Sequence, residues 1–307
     1  RALAYHPNFS NTYSNLGYLY EKLGQYEKAL EFYREAINLV PRHHIARHNM
    51  GLIFKKTGSI DSAVVAFREA ATSNYTKPWL NLGVIYRELG KPDSALAFYG
   101  KALAGPTPTE EAFFNIGHIY AEKGEFDNAI EAYGKFLTFA QADSNYRIEA
   151  RRGLSEAFSG LGVQTEGRDL NQAILYYMKA IEFWPKNAQN WYNLGNAYRG
   201  QKSWEKAREA YVQSIALDDS SVDTYNNLGL TYSDLNHTDR AIEVYLMALR
   251  IAPEQPIVHL NLANVYAITG RIEEAIQSYS VFLKNWDGDP KKTDDIRKFV
   301  ETLARNR

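Results

Sequence analysis

Apolar residues of different sizes recur along this chain in a pattern that returns about every 34 residues. Each copy contains Leu followed by Gly, an aromatic residue three positions after the Gly, an Ala nine positions later and a second aromatic residue four further on. A period of this length predicts a stack of helical repeats, because each repeat buries its apolar face only against its neighbours. The first copy consists of Leu16, Gly17, Tyr20, Ala29 and Tyr33. Other copies contain Leu82-Gly83, Leu194-Gly195, Leu228-Gly229 and, more loosely, Met50-Gly51, Ile116-Gly117, Leu154-Ser155 and Leu262-Ala263.

Helix ends are also readable in the sequence, and they divide each copy into two helices. Proline disfavours helix in the residue before it, so Pro41, Pro185 and Pro253 are expected to end second helices. Glycine suits the left-handed residue that ends many helices, and Asn236 is expected to serve instead in the seventh copy. The glycines expected in this turn are Gly24, Gly58, Gly90, Gly124, Gly162 and Gly270.

These motifs resemble the tetratricopeptide repeat (TPR) family over about residues 10–289. The resemblance implies an all-α fold, a right-handed α-solenoid (superhelix) of antiparallel helix pairs. We expect eight repeats, which start near residues 10, 44, 76, 110, 148, 188, 222 and 256. Residues 1–9 are interpreted as the end of a truncated preceding repeat. Residues 290–307 are expected to form a C-terminal capping helix, whose apolar face consists of Ile296, Phe299, Val300 and Leu303.

The fifth repeat departs from the common period at two places. Four extra residues precede it, within Ala140 to Tyr146, and six more lengthen the expected turn around Val163 to Arg168. Ser155 stands where other repeats have Gly, so we expect looser packing between its helices. Insertions in surface turns are tolerated at small entropic cost, and the alternative is a binding loop.

Composition limits the possible partners. The chain has 35 basic and 36 acidic residues and a net charge of −1, which argues against a nucleic-acid surface and favours protein or peptide partners. It has no cysteine, so disulfides and thiolate metal sites are excluded, while the compartment stays open, with the cytoplasm slightly favoured over the periplasm. No apolar run approaches the length of a membrane span, so no direct membrane insertion is expected.

Asparagine immediately precedes the Leu-Gly pair in seven of the eight repeats, and Gly153 breaks the series in the fifth. In TPR proteins this position faces the concave surface, so the resemblance implies a ladder of amides along a groove, similar to that in the TPR region of O-linked N-acetylglucosamine transferase. An amide satisfies a peptide N–H and C=O together, which predicts a clamp on peptide backbone. Alternatively, these side chains bond within their own or the adjacent repeat. This asparagine column comprises Asn15, Asn49, Asn81, Asn115, Asn193, Asn227 and Asn261.

Other groove candidates come from the same first helices. They are Tyr18, His48, Phe114, His118, Arg152, Tyr192, Asn196, Asn226 and Asn264. TPR domains that hold chaperone C-terminal carboxylates carry a basic residue one position before the column and an Asn three after it. Here the first repeat has Ser14 and Tyr18 at those places, so this pattern is not met. Lys77 and Arg87 give the third repeat a basic character, which either orients a bound chain or belongs to a solvated helix face.

Catalytic chemistry has little support in the sequence. His44 and His48 are four residues apart on one helix, but no third metal ligand is evident, and His43 is expected to face solvent. The chain has no phosphate-binding loop, nucleophile elbow or dinucleotide motif, so we predict no cofactor and no enzyme activity.

We therefore predict a scaffold that binds a peptide segment of a partner in its concave groove. The first alternative is the substrate-recruiting arm of a larger enzyme, such as a glycosyltransferase, whose catalytic domain lies outside this sequence. The second is a scaffold that self-associates through its truncated N-terminal end.

Overall fold

A computed structural model of the chain describes residues 7–72, 74–105, 109–139 and 145–305. Within these ranges the chain forms seventeen α-helices and no strand, so the predicted all-α fold is confirmed. The helices are α1 (Pro7–Lys22), α2 (Tyr26–Leu39), α3 (His44–Lys56), α4 (Ile60–Ala70), α5 (Lys77–Glu88), α6 (Pro92–Leu103), α7 (Glu111–Glu122), α8 (Phe126–Phe139), α9 (Asn145–Glu166), α10 (Leu170–Phe183), α11 (Ala188–Gly200), α12 (Trp204–Leu217), α13 (Val222–Asp234), α14 (Thr238–Ile251), α15 (Pro256–Ile268), α16 (Ile272–Asn285) and α17 (Pro290–Arg305).

The chain divides into two compact units, Arg1–Leu154 and Ser155–Arg307. In the first unit, consecutive helices pack as the pairs α1 with α2, α3 with α4, α5 with α6 and α7 with α8. In the second unit the same packing joins α11 with α12, α13 with α14 and α15 with α16. Within each pair we call the odd-numbered helix the first helix and the even-numbered one the second helix.

A close contact between glycine and an aromatic ring holds seven of the eight pairs together, and the eighth pair has Ala263 in place of the glycine. A Cβ atom added to Gly195 would lie only 2.6 Å from the ring of Tyr211, and one added to Gly83 would lie 2.3 Å from the ring of Tyr99. The two helices therefore approach to a distance that leaves no room for a methyl group. The aromatic residue at this position is almost fully buried in all eight pairs. These residues are Tyr33, Phe67, Tyr99, Tyr133, Tyr177, Tyr211, Tyr245 and Tyr279.

The turn inside most pairs contains one left-handed residue. Five of the six predicted glycines have φ between 68° and 81°, and Asn236 has φ of 59° as expected. Lys202 takes the same conformation with φ of 58°, which the sequence did not indicate. An L-residue with a side chain is strained there, because its Cβ crowds the neighbouring carbonyl oxygen.

The prediction for Gly162 was wrong. Gly162 lies inside α9 and not in a turn, and α9 continues to Glu166, so the expected long turn at Val163 to Arg168 is largely helix. An added Cβ on Gly162 would lie 2.4 Å from the ring of Tyr177. The C-terminal part of α9 and α10 thus form the fifth pair, in which Gly162 and not Ser155 occupies the packing position, and the expected loose packing does not occur.

Ser155 has a different place in this pair. Its hydroxyl donates to the carbonyl oxygen of Ala180 at 2.7 Å, as Ser10 does to Ala36 at 2.8 Å in the first pair. Both serines stand seven residues before the packing glycine of their pair, Gly162 and Gly17. The packing position of the fifth repeat is therefore displaced by seven residues from the predicted one, which is two helical turns.

Gly153 also packs closely, but within the first unit. An added Cβ there would lie 2.5 Å from the ring of Tyr133 on α8. The 22-residue helix α9 thus carries one packing glycine for each unit. The sequence pattern indicated neither role, because it placed Gly153 at the asparagine-column position and Gly162 in a turn.

Helix α17 packs its apolar face on the last pair. Ile296, Val300 and Leu303 contact the core built around Tyr279, and the ring of Phe299 lies 5.8 Å from that of Tyr279. The helix also starts at Pro290, as expected. The end of a preceding repeat that we expected at residues 1–9, and the extra residues at 140–144, lie mostly outside the described ranges.

Candidate functional site

The predicted groove corresponds to the surface lined by first helices, which we call the first-helix face. Consecutive first helices contact one another, as α1 does with α3, α5 with α7, α11 with α13 and α13 with α15. Consecutive second helices make no comparable contact among the described residues. Within each unit the first helices are therefore closer together, and their face is the inner one. All seven residues of the asparagine column lie on these helices.

In the second unit, amide groups of this face form a hydrogen-bonded network. Asn227 Nδ2 donates to Asn196 Oδ1 at 3.0 Å and to the Tyr192 hydroxyl at 3.2 Å. Asn261 Nδ2 donates to Asn226 Oδ1 at 2.8 Å, and Asn226 in turn donates to Asn227 at 3.4 Å. The network connects three successive first helices, α11, α13 and α15.

These contacts follow one rule. A column asparagine donates to the residue that precedes the column in the previous pair, as Asn227 does to Tyr192 and Asn261 does to Asn226. In the first unit Asn81 obeys the same rule and donates to His48 Nε2 at 2.9 Å. Asn115 meets the apolar Leu80 at that place, and it donates instead to the carbonyl oxygen of Glu111 at 2.9 Å. Part of the amide capacity is therefore used inside the protein, as the alternative interpretation expected.

The hydrogen-bonding capacity that the column asparagines retain is mainly at their side-chain oxygens. Asn81, Asn115 and Asn261 are partly exposed, and their Oδ1 atoms have no hydrogen-bond partner among the described residues. Asn115 and Asn261 each also retain a second N–H, because each forms one donor contact, whereas Asn81 donates to the carbonyl oxygen of Lys77 at 3.3 Å as well as to His48. An amide held in one orientation by an internal bond is preorganised to accept a peptide N–H.

His48 is a structural residue more than a binding one. It is 8% exposed, and its ring lies 5.5 Å from the rings of both Phe67 and Tyr75. Burial lowers the pKa of His48 to about 4, so the imidazole is neutral at neutral pH and accepts from Asn81. It therefore cannot serve as a cation in the groove at that pH.

His43 contradicts the expectation of a solvent-facing side chain. It is 8% exposed, and its Nδ1 accepts from the backbone N–H of Ala46 at 3.2 Å. It thus caps the N-terminus of α3, where the free backbone N–H groups need an acceptor. Among the described residues no group of three potential ligands is placed to hold a metal ion.

Phe114 and His118 belong to an aromatic cluster at the end of the first unit. Their rings lie 4.6 Å apart, and Phe114 also contacts Phe136 and Tyr146 at 5.5 and 5.3 Å. Burial lowers the pKa of His118, with the Arg87 charge acting in the same direction. Phe114 is 8% exposed, so it fills the interior more than it offers a surface to a ligand.

The other predicted candidates are more accessible. Tyr18 and Asn264 are exposed, and Asn264 Oδ1 accepts from the Tyr279 hydroxyl at 2.7 Å. Arg152 is exposed on the N-terminal part of α9 and lies 3.5 Å from Glu149. Since the packing glycine of the fifth pair is Gly162, the column position there is Gly160, and Arg152 is not adjacent to it.

The two units differ in the chemistry of this face. At the positions one before and three after the column, the first unit has Leu52, Leu80 and Val84, whereas α11, α13 and α15 of the second unit have amides at three of six such positions, Asn196, Asn226 and Asn264. Sequence reasoning missed Gln189, whose Nε2 donates to Asn193 Oδ1 at 2.8 Å. A signal was available, because Gln189 precedes Asn193 by four residues and therefore lies on the same side of α11. None of the described helices has both the length and the apolar character of a membrane span.

Four family models, each described as tetratricopeptide repeat, match the chain. They cover residues 10–43, residues 76–104 together with 110–143, residues 187–254 and residues 226–290. These ranges together include more than half of the chain. A search of curated proteins finds no match.

Several solved structures share the helix-pair architecture. The C-terminal part of a TPR repeat-containing protein from Cytophaga hutchinsonii is 20% identical, with 81% of this chain and 98% of that chain covered and a TM-score of 0.56. A crystal structure of MamA is 29% identical, with 55% and 94% covered and a TM-score of 0.43. YrrB, described as a TPR protein with an unusual peptide-binding site, is 20% identical, with 63% and 95% covered and a TM-score of 0.45. The Cytophaga structure supports the fold.

Proposed function

Because the chain belongs to the tetratricopeptide repeat family, we propose that it is a scaffold that binds an extended segment of a partner protein along its first-helix face. One observation carries this proposal, namely the dense set of amide side chains on three successive first helices of the second unit. These amides belong to Gln189, Asn193, Asn196, Asn226, Asn227, Asn261 and Asn264.

The internal hydrogen bonds prepare these amides for binding. The side-chain nitrogen of Asn261 donates to Asn226, and this bond fixes the orientation of the planar amide group. The amide oxygen of Asn261 therefore also has a fixed direction. A peptide N–H that reaches this oxygen gains a hydrogen bond without the entropy cost of ordering the side chain. Because the contact is with backbone, binding tolerates many partner sequences.

Spacing supports an extended ligand. Packed helices are about 10 Å apart, and an extended chain advances about 3.3 Å per residue. One column asparagine is therefore available for about every third peptide residue. A backbone clamp of this kind needs apolar or charged contacts elsewhere on the face to give selectivity.

The experiment is a selection of random 12-residue peptides displayed on phage against the full chain, followed by titration of enriched peptides by calorimetry. Asn261→Ala is expected to weaken the enriched peptides about tenfold, because one hydrogen bond to the ligand is lost. Asn128→Ala removes an exposed amide from α8, a second helix, and is the matched control. If no peptide is enriched, or if both variants behave alike, the proposal fails.

A further inference from the structure

The second helices place a row of tyrosine hydroxyls beneath the first-helix face. Two of these hydroxyls donate to carboxylates, Tyr33 to Glu21 at 2.9 Å and Tyr177 to Glu166 at 3.0 Å. Both glutamates stand four residues after the packing glycine of their pair. The position four after the glycine is therefore within hydrogen-bond reach of the hydroxyl.

Two other hydroxyls use an amide as acceptor. Tyr211 donates to Asn196, and Tyr279 donates to Asn264, each at 2.7 Å. Asn196 directly follows the packing glycine Gly195. A pair thus has two places from which a first helix supplies an acceptor, one residue and four residues after the packing position.

The third pair fills both places with residues that accept no hydrogen bond. Val84 follows the packing glycine Gly83, and Arg87 stands four residues after it. The ring of Tyr99 is fully buried, and its hydroxyl has no hydrogen-bond partner among the described residues. Burial raises the pKa of Tyr99 to about 12, with the Arg87 charge acting in the opposite direction. A buried hydroxyl without an acceptor is costly, so an acceptor supplied from outside would stabilise it.

Arg87 lacks a partner as well. It is partly exposed, and it forms no ion pair with any described residue. Glu122 on the next first helix is exposed and does not pair with it. The third pair therefore has two donors without an internal acceptor, and they are near enough for the Arg87 charge to act on the Tyr99 hydroxyl.

The sixth pair provides a direct comparison. Arg199 also stands four residues after a packing glycine, but it lies 3.6 Å from Asp234, the counterpart of Glu122. The Tyr211 hydroxyl beside it already donates to Asn196. The same arginine position thus has a carboxylate partner for its charge in the sixth pair and none among the described residues in the third.

We propose that the Tyr99 hydroxyl and the Arg87 guanidinium form a subsite for an acidic side chain, Asp or Glu, of the bound partner segment. The carboxylate of the partner takes the place that Glu21 and Glu166 fill in their own pairs. It accepts from both donors, and guanidinium and carboxylate form a charge-assisted contact. This inference rests on the proposed peptide-binding function and specifies the chemistry of one contact.

The depth of the hydroxyl is compatible with this role. Tyr33 is as deeply buried as Tyr99, and its hydroxyl is nevertheless reached by Glu21, which is partly exposed on the face. A carboxylate on the first-helix side of a pair thus contacts a hydroxyl at this depth, and at Tyr99 the partner's carboxylate is proposed to do so by displacing the Arg87 side chain from above it. Val84 leaves the neighbouring position free of any competing acceptor.

The test uses the same library of random 12-residue peptides and compares the full chain with Arg87→Gln and Tyr99→Phe. We expect Asp or Glu to be enriched at one peptide position, and the enriched peptides to bind each variant about tenfold more weakly. Replacing that acidic residue by its amide should weaken binding equally. Arg199→Gln removes the same charge from a satisfied site and should leave the preference unchanged.

A stability measurement separates the subsite from general charge effects. Arg87→Glu restores the internal acceptor of the first and fifth pairs, so it should raise the thermal midpoint by about 2 °C and abolish the acidic preference. In a Tyr99→Phe background the same substitution should give no such rise. Peptides that bind without an acidic preference would overturn the subsite and leave the proposed function standing. A preference lost equally in Arg199→Gln would also overturn it, and a complete absence of bound peptides would overturn both proposals.

Discussion

The side-chain nitrogen of Asn227 lies 3.0 Å from the side-chain oxygen of Asn196, to which it donates. The same oxygen accepts from the Tyr211 hydroxyl at 2.7 Å. One amide oxygen thus joins the first helix of its own pair, the second helix of that pair and the first helix of the next one.

This contact changes the expected effect of a column mutation. Asn227→Ala should lower the free energy of unfolding by about 1 kcal/mol, because a partly buried hydrogen bond between two pairs is lost. Asn15→Ala is the control, since Asn15 is exposed and forms no hydrogen bond with a described residue. Urea unfolding followed by circular dichroism measures both, and an equal loss in the two variants would contradict the structural role of Asn227.

The packing glycines should resist even the smallest enlargement. Gly195→Ala should cost about 1–3 kcal/mol, because the new Cβ lies 2.6 Å from the buried ring of Tyr211. Gly100→Ala, within α6, meets no atom within 4 Å and should stabilise the protein by about 1 kcal/mol through its higher helix propensity. Opposite shifts of the urea midpoint are expected, and shifts of the same sign would count against this account of the pair contact.

Lys202 offers a site for stabilisation. Its φ of 58° lies where five other pairs have glycine, so Lys202→Gly should relieve strain. After the entropy cost of glycine is subtracted, the free energy of unfolding should rise by about 0.5 kcal/mol. Gly24→Lys in the equivalent turn, with φ of 72°, should have the opposite effect. In thermal unfolding, the midpoint should rise for Lys202→Gly and fall for Gly24→Lys.

His48 predicts a specific pH dependence of stability. Its pKa in the folded state is about 4, below the ordinary value of 6.5. As pH falls from 6.5 to 4, the imidazole takes up a proton in the unfolded chain before it does so in the folded chain. The free energy of unfolding therefore decreases through this range by up to about 3 kcal/mol, and the full contribution of His48 is present above pH 6.5. His48→Gln should remove this contribution, so the variant loses less stability than the native chain between these pH values. Parallel pH profiles for the two proteins would refute the assignment to His48.

Most of the fold followed from the sequence because packing constraints are local and repeated. The Leu-Gly pair and the aromatic residue sixteen positions after the glycine mark where two helices touch, as in Gly17 and Tyr33. The fifth repeat escaped because the period placed Leu154-Ser155 at its packing position. The ring of Tyr177 instead meets Gly162, seven residues later in α9. A choice of that kind depends on which helix each glycine meets, and sequence spacing alone does not contain it.

The position of the asparagine column was predictable from the sequence, but its bonds were not. The column was evident because asparagine precedes the Leu-Gly pair in seven of the eight repeats. Asn81 bonds to His48, thirty-three residues earlier, whereas Asn115 has Leu80 at the equivalent place and bonds to Glu111 on its own helix. Such partners lie on neighbouring repeats, so they become visible only when the helices are placed side by side.

The amide network of α11, α13 and α15 has a consequence for how the second unit opens. In a repeat array, the strength of the bonds between neighbours sets how many repeats unfold together. The contacts of Asn227 with Asn196 and of Asn261 with Asn226 couple three pairs beyond their apolar contacts. Amide protons of these helices should therefore exchange with solvent at one common rate, as a single cooperative block.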